Sequence, residues 1–234
     1  MAKHIHLIAF VAPLAAFFLL GALVPYETSD GAVQEWPYLG LVIGRVLLMG
    51  MLIVAFLRIY RQEFAFKVDT WALLVGAVGG GLWIGLCWLD LENSIFETLG
   101  LPLSWLGERD SFNPSQYDEP PAKAAFYAFR FSLLVLMVPI AEELFLRAFF
   151  MRLIDTDQWR EQELAAIGWK GLVAGTLYGV LTHPSEFIAA AVWFSLITLL
   201  MKRTNRFWNC VVAHVVTNLV LGIYIVITGN WQLW

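Results

Sequence analysis

Three groups of residues in this sequence could do chemistry together. The run VPIAEELFLR, from Val138 to Arg147, sets two carboxylates, Glu142 and Glu143, shortly before the guanidinium of Arg147 inside an otherwise apolar stretch. His183 is followed at once by Pro184, and AHVVTN places His214 and Asn218 four residues apart. Ionisable residues within apolar spans are costly and are functional candidates by default. Carboxylates and imidazoles of this kind do general acid–base work, hold metals or bond across helices, and their spacing begins to separate these roles.

An α-helix turns about 100° per residue, so Glu143 and Arg147, four apart with the acid first, face one side in the favourable order for an ion pair. Glu142 is five residues from Arg147, roughly 140° around the axis, so Arg147 cannot easily neutralise both acids. Glu143 is then the structural partner and Glu142 the reactive candidate. Pro139, just upstream, frees a carbonyl and implies a polar pocket. His214 and Asn218 share a helix face. Counted at 1.5 Å per residue from the cytoplasmic ends, Glu142 and His214 both come out roughly 10 to 12 Å deep, whereas His183 comes out near 20 Å unless its helix tilts or starts outside the bilayer.

Each group also has a plainer reading. A buried Glu–Arg pair is commonly a structural ion pair, and His214 with Asn218 could simply hydrogen-bond between helices. His183 beside a proline could be an interfacial loop residue. Arg45 and Arg130 read as headgroup-binding or snorkelling cations, and most of the 11 tryptophans as interface anchors, as in the closing NWQLW.

The elements that must position these residues are membrane helices. Of the 234 residues, 59% are hydrophobic and 15% charged, with net charge −4, and the mean hydropathy is +0.68. Soluble domains hold about 45–50% apolar and about 25% charged residues, and a chain this apolar cannot stay extended and solvated. No basic patch supports nucleic-acid binding. Cys87 and Cys210 lie inside apolar runs without ligand spacing and read as packing residues.

A hydrocarbon core about 30 Å thick needs about 20 apolar residues per helix. Five runs qualify: Leu7 to Val24, Tyr38 to Leu57, Trp71 to Leu89, Ala124 to Phe150 and Phe207 to Thr228. Two more lie between Trp169 and Met201, separated at His183-Pro184 because proline cannot continue a hydrogen-bonded helix. The fold class is therefore all-α, a polytopic helical membrane protein with about seven transmembrane helices. The first run is read as a retained helix rather than a signal peptide. With the N-terminus cytoplasmic, inner segments hold Lys3, Arg58, Arg61, Lys67, Arg152, Arg160, Lys170, Lys202, Arg203 and Arg206, and outer ones only Arg109 and Lys123. That bias follows the positive-inside rule. The outer segments are also acidic, holding Glu27, Asp30, Glu35, Asp90, Glu92, Glu97, Glu108, Asp110, Asp118 and Glu119. Asp90 to Lys123 is the one long connection, with a short interfacial helix expected over Ile95 to Trp105. No repeat or second domain is evident, so residues 1–234 read as one membrane domain, with 1–110 as N-terminal spans and outer loop and 112–234 as the core that holds the candidate site.

EELFLR as Glu-Glu-x-x-x-Arg, a following His183, and His214-x-x-x-Asn218 in that order closely resemble the CAAX protease and bacteriocin-processing family of intramembrane glutamic endopeptidases. The likeness runs from about Phe112 to Trp234. THPSEFIAAAVWF and RTNRFWNCVVAHVVTN further resemble the bacterial CAAX-protease-related branch linked to PEP-CTERM protein sorting. One departure stands out: the family usually places Phe four residues before the middle histidine, where this chain has Gly179, with Tyr178 five before. The resemblance implies that Glu142 and His183 activate water, that His214 and Asn218 donate to the oxyanion, and that Glu143 and Arg147 brace the site, without metal or cofactor. Desolvation raises a carboxylate's pKa toward the range a base needs, and each oxyanion donor is worth about 3 kcal/mol of barrier. The implied partners are membrane lipids and a membrane-associated or lipid-modified protein or peptide, and the implied location is a bacterial inner membrane.

Three other readings use the same residues. A zinc protease would take Glu142, His183 and His214 as ligands, but no HExxH is present and the ligands come from three helices. A non-catalytic scaffold or immunity protein would keep the pocket to bind a peptide tail. A proton-coupled transporter fits poorly with spans that show no repeat.

Overall fold

The computed structural model describes residues 2–23, 35–107 and 112–233. Glu27, Asp30, Glu108, Arg109 and Asp110 of the outer segments lie outside the described residues, as do Val24 and Trp234 and the side chains of Lys3 and Glu35. The described elements are all helical. In chain order they are α1 (Ala2–Gly21), α2 (Glu35–Ala55), α3 (Leu57–Glu63), α4 (Thr70–Leu89), α5 (Leu91–Leu99), α6 (Pro120–Phe131), α7 (Val138–Phe145), α8 (Met151–Asp155), α9 (Trp169–Thr182), α10 (Phe187–Thr204) and α11 (Phe207–Thr228). Two π-helical segments, Ser132–Met137 and Leu146–Phe150, join α6, α7 and α8 into one run, Pro120–Asp155.

Five helical stretches are long and apolar enough to cross a membrane: Trp36–Ala55, Thr70–Leu99, Pro120–Asp155, Pro184–Thr204 and Phe207–Thr228, with Ile5–Gly21 a shorter apolar helix. The break expected at His183-Pro184 is present: His183 caps α9, and a 3-10 turn, Pro184–Glu186, leads into α10. At 14 residues, α9 is about 21 Å long, shorter than the hydrocarbon core. The short helix expected over Ile95 to Trp105 lies earlier, at α5, followed by a 3-10 turn at Leu103–Leu106. Asp90 starts it and Gly100 ends it, both in left-handed backbone (φ 46° and 66°), and Pro102 separates the two pieces.

The chain divides into two compact units, Met1–Ala65 with Phe112–Phe145, and Phe66–Ser111 with Leu146–Trp234. In the first, α1 packs on α2 and α7, while α2 also meets α6 and the π segment after it. The Tyr60 hydroxyl donates to the Ala9 carbonyl at 2.5 Å, which ties α3 to α1. Tyr38, Phe112, Tyr117 and Phe126 form an aromatic cluster in which Tyr38 stacks on Phe112 with ring centres 4.5 Å apart.

In the second unit α4 lies against α11 and α10, and α10 against α9. Glycines allow these approaches: a Cβ at Gly76 would stand 2.5 Å from the Ala213 carbonyl, and one at Gly171 2.6 Å from that of Met151. This is the small-residue packing expected between membrane helices, where dispersion contacts replace the hydrophobic effect. Asp69 caps α4 by accepting from Trp71 N–H, and Arg206 and Asn209 both donate to its other oxygen at 2.9 Å. Cys87 and Cys210 are not joined in a disulfide, and Cys210 is fully buried.

Candidate active site

Glu142 and Glu143 belong to the first unit, on α7. Both are buried, Glu143 completely. Glycine-free, proline-led VPIAEELF forms one short α-helix between the two π segments. This geometry bears on the angular arithmetic of the sequence. The i→i+5 hydrogen bonding of a π segment lowers the turn per residue, so the roughly 140° between Glu142 and Arg147 holds for a regular α-helix and not for a run that enters π geometry at Leu146.

Arg147, His183, His214 and Asn218 belong to the second unit. Arg147 is fully buried and grips α10: its Nη1 donates to Thr198 Oγ1, and Nη2 to the Phe194 carbonyl at 3.0 Å. Thr198 in turn donates to that same carbonyl at 2.7 Å. The guanidinium also lies 5.8 Å from the Phe194 ring centre and 3.0 Å from Met151 Sδ. Arg147 is thus a brace for the middle of α10, an attachment that the spacing of EELFLR did not disclose.

His183 and His214 are brought to one aromatic cluster. The His183 ring centre lies 5.3 Å from Trp83 and 5.8 Å from Phe194; that of His214 lies 4.5 Å from Trp193, which itself meets Trp83 at 6.3 Å and Phe194 at 4.8 Å. Trp193 is held in place: its Nε1 donates to Thr217 Oγ1 at 3.0 Å, and Thr217 donates to the Gly76 carbonyl at 2.9 Å. Gly79 makes room, since a Cβ there would stand 3.0 Å from the indole. Asn218 follows one turn after His214 and is half-buried.

The tautomer of His183 follows from its partners. Its Nδ1 lies 3.1 Å from the Gly179 carbonyl, which can only accept, so Nδ1 carries the proton, with Thr182 Oγ1 also in reach at 3.0 Å. In the neutral ring Nε2 then offers its lone pair, the form a proton acceptor needs. The missing aromatic four residues before His183 also has an account. A Cβ at Gly179 would collide with the Phe194 ring, so the phenyl group beside His183 comes from α10 instead of from α9.

The segment that presents His183 is pinned by α5 and the turn after it. Glu92, read from sequence as one of several outer acids, is buried and accepts from Ile188 N–H at 3.0 Å, capping the start of α10. Ser185 donates to the Leu106 carbonyl at 2.9 Å, and Phe96 meets Phe187. Sequence reasoning missed Glu92, Trp83, Trp193, Phe194, Thr198 and Thr217. The anchor reading fits the exposed Trp36, Trp71, Trp88, Trp105 and Trp169 and fails for Trp83 and Trp193, which are buried. The signal that could have found them is glycine spacing: Gly76, Gly79 and Gly80 on α4, and Gly171, Gly175 and Gly179 on α9, mark faces that admit large neighbours. Snorkelling likewise fails for Arg45 and Arg130, each only 7% exposed. Among the described residues no three of His, Cys, Asp and Glu gather in a way that could hold a metal ion.

Residues 124–220 match the family model described as Rce1-like, type II CAAX prenyl endopeptidase Rce1-like. Nothing matches among curated proteins or among solved structures. The matched segment is somewhat under half of the chain and contains Glu142, Glu143, Arg147, His183, His214 and Asn218. Over that segment the chain is similar to the Rce1-like membrane proteases of CAAX type.

Proposed function

We propose that this protein is a glutamic intramembrane endopeptidase that hydrolyses a peptide bond near the terminus of a membrane-associated or lipid-modified protein. The observation that carries the reading is the meeting of His183 and His214 on one buried aromatic cluster, with His183 held in the tautomer that leaves Nε2 free to accept a proton. In this mechanism Glu142, desolvated on α7, takes the proton of the attacking water and His183 Nε2 shares that task. The tetrahedral intermediate then places its oxyanion against N–H donors of His214 and Asn218. The leaving amine recovers the proton from Glu142. Glu143 and Arg147 hold the frame, Arg147 through α10. No metal takes part.

The accompanying topology has seven crossings within one functional domain, with the N-terminus on the inner face of a bacterial plasma membrane. The distribution of Lys and Arg supports it. The test of function compares the termini of membrane proteins in cells carrying the native chain or Glu142→Gln. A set of shortened termini that depends on Glu142 is expected, and identical termini in the two strains would overturn the assignment.

A further inference from the structure

The proposed hydrolysis leaves one chain of buried hydrogen bonds in the second unit without a task. The bonds meet at Thr217, on α11 between His214 and Asn218. Its hydroxyl accepts from Trp193 Nε1 of α10 at 3.0 Å and donates to the Gly76 carbonyl of α4 at 2.9 Å. An indole N–H can only donate and a carbonyl can only accept, so the direction of the chain is fixed. Trp193, Thr217 and Gly76 are all buried, where losing either bond would leave a polar group away from water. One hydroxyl thus ties three helices together between the two residues proposed as oxyanion donors.

Trp193 is confined on its other sides too. A Cβ at Gly79 would stand 3.0 Å from Cδ1 and 3.1 Å from Nε1 of the indole, so α4 passes that edge with no side chain between. The Phe194 ring stands nearly perpendicular to it, at 81° with centres 4.8 Å apart. His214 lies against the same indole, its ring inclined by 65° with centres 4.5 Å apart. Side chains move between discrete rotamers, and an indole held at its N–H cannot change rotamer without giving up that bond. The imidazole packed on it is limited in its own rotation as a result. Trp83 carries the constraint one ring further, 6.3 Å from Trp193 and 5.3 Å from His183.

We propose that Trp193 is a positioning residue for His214 and that the Thr217 hydroxyl acts on the site through it. The consequence for reaction rests on the hydrolysis proposed above. An oxyanion donor has to lie about 2.7–3.1 Å from where the charge develops, and a displacement of about 1 Å costs about 10²-fold in rate. A hydroxyl that touches neither substrate nor water then sets the rate by fixing an indole, and the indole fixes the donor.

Full-length protein carrying ¹³C at histidine Cε1 is purified in a maltoside detergent, and the magnetic resonance signal of His214, one of four histidines, is assigned through His214→Gln. The ring current of an indole shifts neighbouring protons according to distance and angle, so this signal reports how Trp193 lies against His214. Thr217→Val keeps the shape of the side chain and removes the hydroxyl. It is expected to shift the His214 signal, and Thr217→Ser to return it toward the native position. Gly79→Ala crowds the indole, leaves the hydroxyl in place and is expected to shift the signal as well, which serves if Thr217→Val does not fold. Tyr60→Phe loses a buried hydrogen bond in the first unit and is expected to leave the signal unchanged. Incubated in H₂¹⁸O with membrane proteins from cells that lack it, the native protein is expected to form ¹⁸O-labelled C-termini. Thr217→Val should form them about 10²-fold more slowly, with Thr217→Ser recovering most of the rate. A His214 signal at its native position in folded Thr217→Val or Gly79→Ala protein, an equal shift in Tyr60→Phe, or a native rate in Thr217→Val would overturn the proposal. No labelled termini with the native protein would refute the hydrolysis instead, and the spectra would still decide the role of Trp193.

Discussion

His183 shows how a single side chain is prepared for its task. The Gly179 carbonyl fixes the proton on Nδ1, and the rings of Trp83 and Phe194 limit how the imidazole can turn. Glu142→Gln keeps the shape of the carboxylate and removes its basicity, so activity should fall by about 10²- to 10⁴-fold with the melting temperature unchanged. Near-native turnover by this variant would remove Glu142 from the mechanism. Arg147 predicts the opposite pattern. Arg147→Ala removes the links to Thr198 and the Phe194 carbonyl and should destabilise the protein by about 3–5 kcal/mol, whereas Thr198→Val, which deletes one charge-assisted bond, should cost about 1.5–3 kcal/mol. Thermal or denaturant unfolding in detergent measures both, and unchanged stability in both would show that the brace does not act. Chelation tests the chemistry at the same scale: activity should persist after prolonged treatment with a chelator. Activity lost and then restored by zinc would recast Glu142, His183 and His214 as ligands.

At the scale of elements, glycine decides which large side chains reach the site. Gly179→Phe restores an aromatic four residues before His183 and drives it into Phe194, so it should destabilise by about 1–3 kcal/mol or more through overpacking, and the double variant Gly179→Phe/Phe194→Ala should recover part of that loss. Additive effects in the double-mutant cycle would show that the two rings do not compete for one space. The apolar runs and the break at His183-Pro184 were legible in the sequence because length and proline chemistry are local properties. The partners of Arg147 were not legible, since Thr198 lies on a later helix and nothing in EELFLR points to it. Nor was the role of Glu92 legible, because its acceptor bond to Ile188 joins residues far apart in sequence. The angular separation of Glu142 from Arg147 relied on uniform α geometry, and the π segment at Leu146–Phe150 alters that rule where it was applied.

At the scale of the whole molecule, composition excluded soluble and nucleic-acid-binding classes, and the order of three short motifs within apolar spans led to the CAAX family that residues 124–220 match. Sidedness depends on the basic residues of the connections. A cysteine introduced at Asn113 should react with an impermeant reagent added outside intact cells, and one at Thr204 should react only after the membrane is opened. The reverse pattern would turn the protein over. The most direct test of the central claim follows the water. Purified native protein is incubated in H₂¹⁸O with membrane proteins from cells that lack it, and new C-termini are read by mass spectrometry. Hydrolysis by activated water predicts new C-terminal carboxylates carrying one ¹⁸O atom, formed by the native protein and not by Glu142→Gln. No new labelled termini with the native protein, or the same labelled set with the variant, would contradict it.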